Sequence, residues 1–298
     1  MLNDTYLLWM AGSALATAAM HFATAGKLKM RAPLALLTLL FGALLGVVLA
    51  RLGYCLLQMD YVAGYGFREV LFSDDLSMMS FFCGAAGVML AALLAAKLTG
   101  NAAMPALNAF APAGALMAAL ARFGEAFLGQ ICAGNYVENE ALCFFPLAVR
   151  NEWDEWYIAV HLFTGLAYLV IALFSLLRFR EKRFLRTVFY LCLVQVFFES
   201  LRNQSLIWSQ FIRVEQLLCM VVVEAILIWL CSGAEGGGKR FLPAIVGLLC
   251  AGLFVAVEFA VGGKLFVGTS PVVFYLVMAV GLMALAALEC GLIRHQRK

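Results

Sequence analysis

The chain has 298 residues, of which 64% are hydrophobic and only 13% are charged, and its mean hydropathy is +0.94. One soluble core could not bury this much apolar surface, so the composition excludes an ordinary soluble globular protein. The net charge of +3 does not indicate nucleic-acid binding, because most of the basic residues fall where they would set membrane topology.

The apolar segments predict an all-α, polytopic transmembrane helical bundle with about nine spans, because a helix needs about 20 mostly apolar residues to cross a bilayer. Helices are expected because they satisfy their own backbone hydrogen bonds inside the hydrocarbon layer. The first span is expected to be retained, since no basic flank precedes it and no small-residue cleavage site is followed by a mature soluble domain, with a cleaved signal peptide as the alternative. In chain order the predicted spans are 5–26, 33–57, 78–98, 105–127, 157–177, 187–202, 213–232, 241–262 and 270–292.

The charges between the spans predict the orientation of the bundle, because loops rich in lysine and arginine stay in the cytoplasm. Acidic residues dominate the alternate loops, at 60–75 and 138–155. We therefore expect the N-terminus outside and the C-terminus inside. The basic segments on the inner side are 27–31, 178–186, 239–240 and 294–298.

A glycine-rich stretch, Ser232–Gly238, is the clearest flexible joint in the chain. It predicts a division into two parts. Residues 1–232 are expected to form a seven-span membrane core, and residues 233–298 are expected to form the joint and a C-terminal two-helix membrane hairpin.

The nine cysteines include no CxxC pair, so their spacing does not indicate a metal or redox site. Seven lie mostly in the spans, where cysteine packs as a small hydrophobe. Cys132 and Cys143 both fall in the long outer loop at 128–156. A disulfide there requires an oxidising compartment and close approach of the two residues, so the paired and unpaired states both stay open.

Charged residues inside the predicted spans are the most informative, because a charge near the bilayer centre costs about 3 kcal/mol or more unless it is paired or faces water. Arg51 lies in the second span, and arginine–glutamate pairs with i, i+3 spacing end the fourth and sixth spans. These pairs are Arg122 with Glu125 and Arg202 with Glu199. One interpretation is ion pairing at each helix end.

The second interpretation of these charges is a shared binding site. Three arginines at similar depth repel one another unless an anion lies between them, and guanidinium groups bind phosphate bidentately. The combination predicts a site for an anionic lipid headgroup at Arg51, Arg122 and Arg202.

The other titratable residues in the spans have simpler explanations. His21 and His161 are single histidines, which are typical of packed or hydrogen-bonded positions rather than of catalytic bases. Glu224, Glu258 and Glu289 are expected to be protonated or paired, with a proton path as the alternative. No metal site and no cofactor is predicted.

Five short motifs occur in order between the second and seventh spans. They are Arg51–Tyr54, Met79–Phe81 followed by Gly84 and Gly87, Ala111–Pro112 with Arg122–Gln130, Glu199–Arg202, and Gln216 with Leu218. These motifs resemble those of the bacterial prolipoprotein diacylglyceryl transferase family, which moves diacylglycerol from phosphatidylglycerol to a lipobox cysteine. The resemblance implies a seven-span transferase-like core and a multi-pass protein of the bacterial cytoplasmic (inner) membrane.

The chain also departs from the motifs that it resembles. The family's histidine after Ser-Phe is Phe82 here, and its asparagine is Glu125. Leu128 and Gln130 replace a second asparagine and the final glutamate of the signature. Cys83 lies next to the missing histidine, but a thiol in an apolar helix stays mostly protonated. The resemblance therefore implies that the phosphate-holding arginines are kept and that much of the acid–base set is lost.

Two functions from different classes follow from the resemblance. In the first, the chain is a divergent transferase that binds an anionic phospholipid such as phosphatidylglycerol and moves its diacylglyceryl group to a cysteine of a lipobox-bearing protein. Glu125 or Glu199 would deprotonate the thiol, with Glu125 the preferred base and Glu199 orienting Arg202.

In the second, the chain is a catalytically inactive relative. It would serve as a lipid-binding, scaffold or transport subunit of a complex with other membrane proteins. Transfer of another lipid group to another acceptor is a third hypothesis.

Overall fold

The computed structural model describes residues 2–31, 33–128, 134–151, 153–203, 207–208, 212–233, 241–262, 265 and 270–296. Within these ranges the chain forms α-helices and two short antiparallel β-hairpins. Cys132 and residues 234–238 of the glycine-rich joint lie outside the described ranges. The disulfide alternatives and the joint therefore stay predictions.

The helices are α1 (Leu2–Lys27), α2 (Pro33–Leu57), α3 (Met59–Tyr65), α4 (Phe67–Leu71), α5 (Phe81–Leu98), α6 (Ala103–Gly124), α7 (Val160–Leu177), α8 (Arg183–Ser200), α9 (Val214–Ser232), α10 (Leu242–Val261) and α11 (Pro271–His295). Two 3-10 turns cover Glu125–Phe127 and Glu140–Leu142. The strands are β1 (Ala148–Arg150), β2 (Trp156–Ile158), β3 (Ile207–Trp208) and β4 (Ile212–Arg213), and β1 pairs with β2 and β3 with β4.

The prediction of an all-α polytopic membrane fold is confirmed. Eight of the described helices are long and apolar enough to cross a membrane. The remaining predicted span is the sixth, 187–202, and it corresponds to α8, whose 18 residues include Arg183, Arg186 and Glu199. These charges lower its hydropathy, so the count of nine spans stays a prediction, as does the orientation.

The segment after α2, which the sequence places in a loop, folds into the two short helices α3 and α4. Gly66 separates them with a φ of 97°, a backbone conformation that glycine adopts without strain. Tyr61 stacks on Tyr65 with ring centroids 4.5 Å apart, and Tyr54 meets Tyr61 edge-on at 6.5 Å. Such aromatic clusters are typical of the headgroup region of a bilayer.

The chain divides into two compact units. Unit 1 comprises Met1–Val188 with Arg202–Gln204, and unit 2 comprises Phe189–Leu201 with Ser205–Lys298. The predicted division between residues 232 and 233 concerns the C-terminal hairpin and stays a prediction.

Helix α6 is central to unit 1, where it packs against α1, α5 and α7. Its buried face is rich in alanine, and small side chains allow membrane helices to approach closely. Pro112 lies inside α6 and has no N–H to donate to the carbonyl of Asn108 one turn earlier. The Asn108 carbonyl instead accepts a bond from the Arg183 guanidinium at 3.5 Å.

Small residues also bring α2 and α5 together in unit 1. A Cβ placed on Gly84 would lie 3.1 Å from the Cβ of Ala50, and a Cβ on Gly87 would collide with the carbonyl of Leu45. Ser80 caps the start of α5, since its hydroxyl accepts a bond from the amide of Cys83 at 3.2 Å. This packing fixes Phe81, the first residue of α5, beside the site described below.

Unit 2 is formed by α9, α10 and α11, which pack on one another, together with most of α8. Polar bonds near the C-terminal end of α11 connect the helices of this unit. The Tyr190 hydroxyl donates to Glu289 at 3.0 Å, and the Gln296 amide donates to the carbonyl of Leu230 at 2.6 Å. Glu289 is therefore a paired residue, as expected for a carboxyl group in a span.

Candidate functional site

Arg122 and Glu125 form a buried ion pair at the end of α6. Arg122 lies in the last turn of the helix and Glu125 begins the following 3-10 turn, so the i, i+3 spacing places both side chains on one face. Nη1 of Arg122 donates to Oε1 of Glu125. Only 3% of Arg122 and 8% of Glu125 is exposed, so the predicted pair exists and is almost fully withdrawn from solvent.

Arg202 completes the site from a distant part of the chain. Its Nη2 donates to the second oxygen of Glu125 at 2.5 Å, and 7% of the residue is exposed. Its backbone pairs with Gly134 in an antiparallel bridge, which holds the residue beside the loop before β1. Two guanidinium groups thus converge on one carboxylate, and we call Arg122, Glu125 and Arg202 the arginine–glutamate triad.

Aromatic side chains surround the triad within unit 1. The Arg122 guanidinium lies 3.9 Å from the centre of the Phe81 ring, a cation–π contact that is favourable in a desolvated site. Gly124 leaves room for α1, since a Cβ there would lie 2.8 Å from Trp9 and 3.3 Å from Tyr6. Tyr6 is near enough to Glu125 for a direct electrostatic interaction.

His161 is the residue that the sequence did not place here. It is buried near the start of α7 and interacts electrostatically with both Glu125 and Arg202. The packing explains its position, because Gly165, one turn further along α7, lies against Phe123 of α6. A lone histidine in an apolar span has no spacing pattern that could have assigned it to the triad.

Arg51 bonds to the backbone of the loop before α5. Its guanidinium donates to the carbonyls of Ser73 at 2.9 Å, Asp75 at 2.9 Å and Met78 at 3.0 Å. These bonds explain how a buried arginine is satisfied near a helix end, and they shape the loop that leads into Ser80 and Phe81. Its expected part in phosphate binding stays a prediction.

Replacing Arg51 with lysine tests which of these roles it has. An ammonium group cannot span the three carbonyls that a guanidinium fork reaches, so Arg51→Lys is expected to lower the free energy of unfolding by about 1.5–3 kcal/mol. The measurement is denaturant unfolding in detergent micelles, with the exposed Arg68→Lys as the matched control. Unchanged stability with weaker phosphatidylglycerol binding would assign Arg51 to the lipid instead.

Glu199 lies in unit 2, where a buried amide bridges it to another carboxyl group. The Gln195 side chain donates to Glu199 at 2.9 Å and to Glu215 at 3.3 Å. All three residues are buried. The expected role of Glu199 as a base or as the residue that orients Arg202 stays a prediction.

A second polar network in unit 2 centres on Glu258 of α10. Arg213 donates to its Oε2 at 3.0 Å, Gln216 donates to its Oε1 at 3.1 Å, and the Ser200 hydroxyl also donates to Oε1. Gln216 belongs to the last of the five motifs, and it donates to Ser200 as well, at 3.0 Å. The C-terminal hairpin therefore supplies the carboxylate that satisfies a motif residue of α9.

The charges of the triad determine what it can bind. Two guanidinium groups face one carboxylate, so the triad carries one net positive charge. A guanidinium has five N–H donors in a fixed fork, and phosphate oxygens are suitable acceptors for it. The Glu125 carboxylate occupies the position between the arginines at which an external anion would bind.

One comparison with known proteins matches most of the chain. The model of a protein family described as prolipoprotein diacylglyceryl transferase matches residues 5–231. No curated protein sequence matches the chain significantly. The triad and His161 lie within the matched residues, whereas α10 and α11, including Glu258, lie beyond them.

Proposed function

Because the chain belongs to the prolipoprotein diacylglyceryl transferase family, we propose that it binds the phosphate of an anionic phospholipid such as phosphatidylglycerol through Arg122 and Arg202. We further propose that it transfers the diacylglyceryl group of that lipid to a cysteine of a lipobox-bearing protein in the bacterial cytoplasmic membrane. The observation that carries this proposal is the convergence of two buried guanidinium groups on a single anion position.

In the proposed reaction, the arginines stabilise the leaving group, which is glycerol phosphate. The thiolate sulfur of the acceptor forms a bond to the glycerol carbon of the lipid, and the bond from that carbon to the phosphate ester oxygen breaks. Glycerol phosphate leaves with the electron pair. Guanidinium groups held in a buried site stabilise the charge that develops on this leaving group.

Glu125 has a different part in this proposal from that of a simple base. Both of its oxygens accept bonds from guanidinium groups, which stabilise the charged carboxylate and make it a poor proton acceptor while both bonds are present. We expect it to release one when the lipid phosphate enters. Glu125 would then keep the arginines in place while the site is empty.

His161 is the group to which this proposal assigns removal of the thiol proton. Its imidazole has a lone pair that can accept a proton at neutral pH, and it lies near Glu125 and Arg202. The family's own histidine position holds Phe82, so an imidazole from α7 would replace one from the start of α5. The proton of the thiol would pass to the ring nitrogen of His161.

The same geometry favours one alternative, a non-catalytic lipid-binding, scaffold or transport subunit of a membrane complex. The observation behind it is that Glu125 already neutralises one arginine charge. An internal carboxylate competes with a lipid phosphate and lowers the affinity of the site. The partners in that case are other membrane proteins, for which α10 and α11 offer additional surface.

The test uses purified protein in nanodiscs that contain phosphatidylglycerol, with a lipobox peptide that carries a single cysteine. Mass spectrometry detects diacylglycerol added to the peptide, and an active related enzyme is the positive control. We expect transfer that falls at least about 100-fold in Arg122→Lys, since a single ammonium lacks the fork. Phosphatidylglycerol binding that is kept without any transfer would favour the non-catalytic alternative.

A further inference from the structure

A cavity of unit 1 lies at the opposite end of α6 from the triad. Its volume is about 210 Å³. Asn108 and Arg122 are 14 residues apart on α6, which corresponds to about 21 Å along the helix. The cavity is lined by Leu28, Met30, Pro105, Asn108, Arg180 and Arg183.

Two backbone carbonyls hold the Arg183 guanidinium at this cavity. Its Nη1 reaches the Asn108 carbonyl that Pro112 leaves without a helical partner, at 3.5 Å, and its Nε donates to the carbonyl of Phe179 at 2.9 Å. These bonds use only part of the five-donor fork. The rest of the guanidinium is available at the cavity.

The side chain of Asn108 is oriented as a donor toward the same space. Its Oδ1 accepts a hydrogen bond from the backbone N–H of Phe184 at 2.8 Å. This bond identifies the oxygen of the side-chain amide, so the other terminal atom is the NH₂ group. Among the described residues, the NH₂ group makes no hydrogen bond. Asn108 therefore adds donors to the cavity and no free acceptor.

Arg180 supplies a second guanidinium at the rim. Its side chain is exposed, and within the described part of the chain it forms no hydrogen bond or ion pair. The lining residues thus comprise two guanidinium groups, one amide and three apolar side chains, with no carboxylate. A donor set of this kind selects an anion, and paired guanidinium forks match phosphate.

We propose that this cavity binds a phosphate group, and the surroundings favour the phosphate of an anionic phospholipid. The volume is smaller than the roughly 300 Å³ typical of a site for a whole small molecule, so it fits a headgroup and not a complete lipid. The apolar Leu28, Met30 and Pro105 suit the glycerol and upper acyl region. Basic pockets between membrane helices bind anionic headgroups in this way.

The experiment compares Arg180→Glu with Arg178→Glu. Both residues are exposed arginines of the same loop, but only Arg180 lines the cavity. Native mass spectrometry in a neutral detergent counts the phosphatidylglycerol molecules that remain bound, with phosphatidylcholine as the neutral probe. Arg180→Glu is expected to lower the affinity for one of the bound phosphatidylglycerol molecules at least about tenfold, because a charge-assisted contact to its phosphate is lost. Arg178→Glu is expected to leave the affinity for that molecule unchanged.

Inorganic phosphate distinguishes the two sources of the phosphate group. Failure of inorganic phosphate to compete assigns the cavity to lipid headgroups, and competition assigns it to free phosphate. Equal losses in the two variants, or no loss in Arg180→Glu, would overturn the proposal. Because the count at the triad is scored separately with Arg122→Lys, failure of the proposed function does not affect this result.

Discussion

Replacing Arg202 with alanine is expected to lower the free energy of unfolding by about 3–5 kcal/mol, the cost of breaking a buried ion pair from one side. Arg202 and Glu125 are both less than a tenth exposed, so neither charge can recover its hydration where it stands. Removing one guanidinium leaves the Glu125 carboxylate with Arg122 alone at this site. The measurement is chemical unfolding of the purified protein in detergent micelles.

A double variant separates the ion pair from general damage to the fold. Because Glu125 keeps Arg122 when Arg202 is removed, the informative quantity is the coupling between the two substitutions: Arg202→Ala should lower the free energy of unfolding less in the Glu125→Gln background than in the unchanged protein. Arg68→Ala, in an exposed segment, should change the free energy of unfolding by less than about 0.5 kcal/mol. Equal costs of Arg202→Ala in the two backgrounds would contradict the pairing of Arg202 with Glu125.

Replacing His161 with alanine is expected to reduce diacylglyceryl transfer by about 100-fold to 10,000-fold, the usual contribution of a general base. Binding of phosphatidylglycerol should stay within about threefold of the unchanged protein, since the arginines that hold the phosphate are intact. Transfer is measured with the lipobox peptide in nanodiscs, and binding is measured by native mass spectrometry. This separation of transfer from binding follows only if His161 acts on the thiol.

A change at Phe82 provides the matching gain-of-function control. Phe82 lies in the first turn of α5, where the family motif has its histidine. Phe82→His in the His161→Ala background should restore part of the transfer if an imidazole is what the reaction lacks. Transfer that is unaffected by His161→Ala would remove His161 from the mechanism and return Glu125 to the role of candidate base.

The helices could be predicted from the sequence because a span is a local property. About 20 apolar residues in a row identify it whatever its neighbours are, so the predicted span 105–127 coincides closely with α6 and its 3-10 turn. Segment 59–71 was harder, because it is too short and too mixed in composition to identify α3 and α4. The turn at Gly66 that separates them depends on a single backbone conformation.

The candidate site could be predicted only in part. The spacing of Arg122 and Glu125 places them one turn apart on a helix, and the structure confirms their ion pair. Arg202 is 77 residues from Glu125 along the chain, and no local pattern indicates which carboxylate it contacts. The i, i+3 spacing indicates Glu199 as its neighbour, which stays a prediction, and the structure adds a bond from Arg202 to Glu125 that no spacing could indicate.

Composition and short-range spacing by themselves determined that this protein is an all-α polytopic membrane protein with motifs of the transferase family. Both depend on residues that are close in the chain. The tertiary structure alone decided that Arg202 and Arg122 share Glu125, that His161 interacts electrostatically with Glu125 and Arg202, and that Arg51 binds three loop carbonyls. Buried charges must find partners wherever packing brings one within reach, and in this chain the packing joined segments that are far apart in sequence.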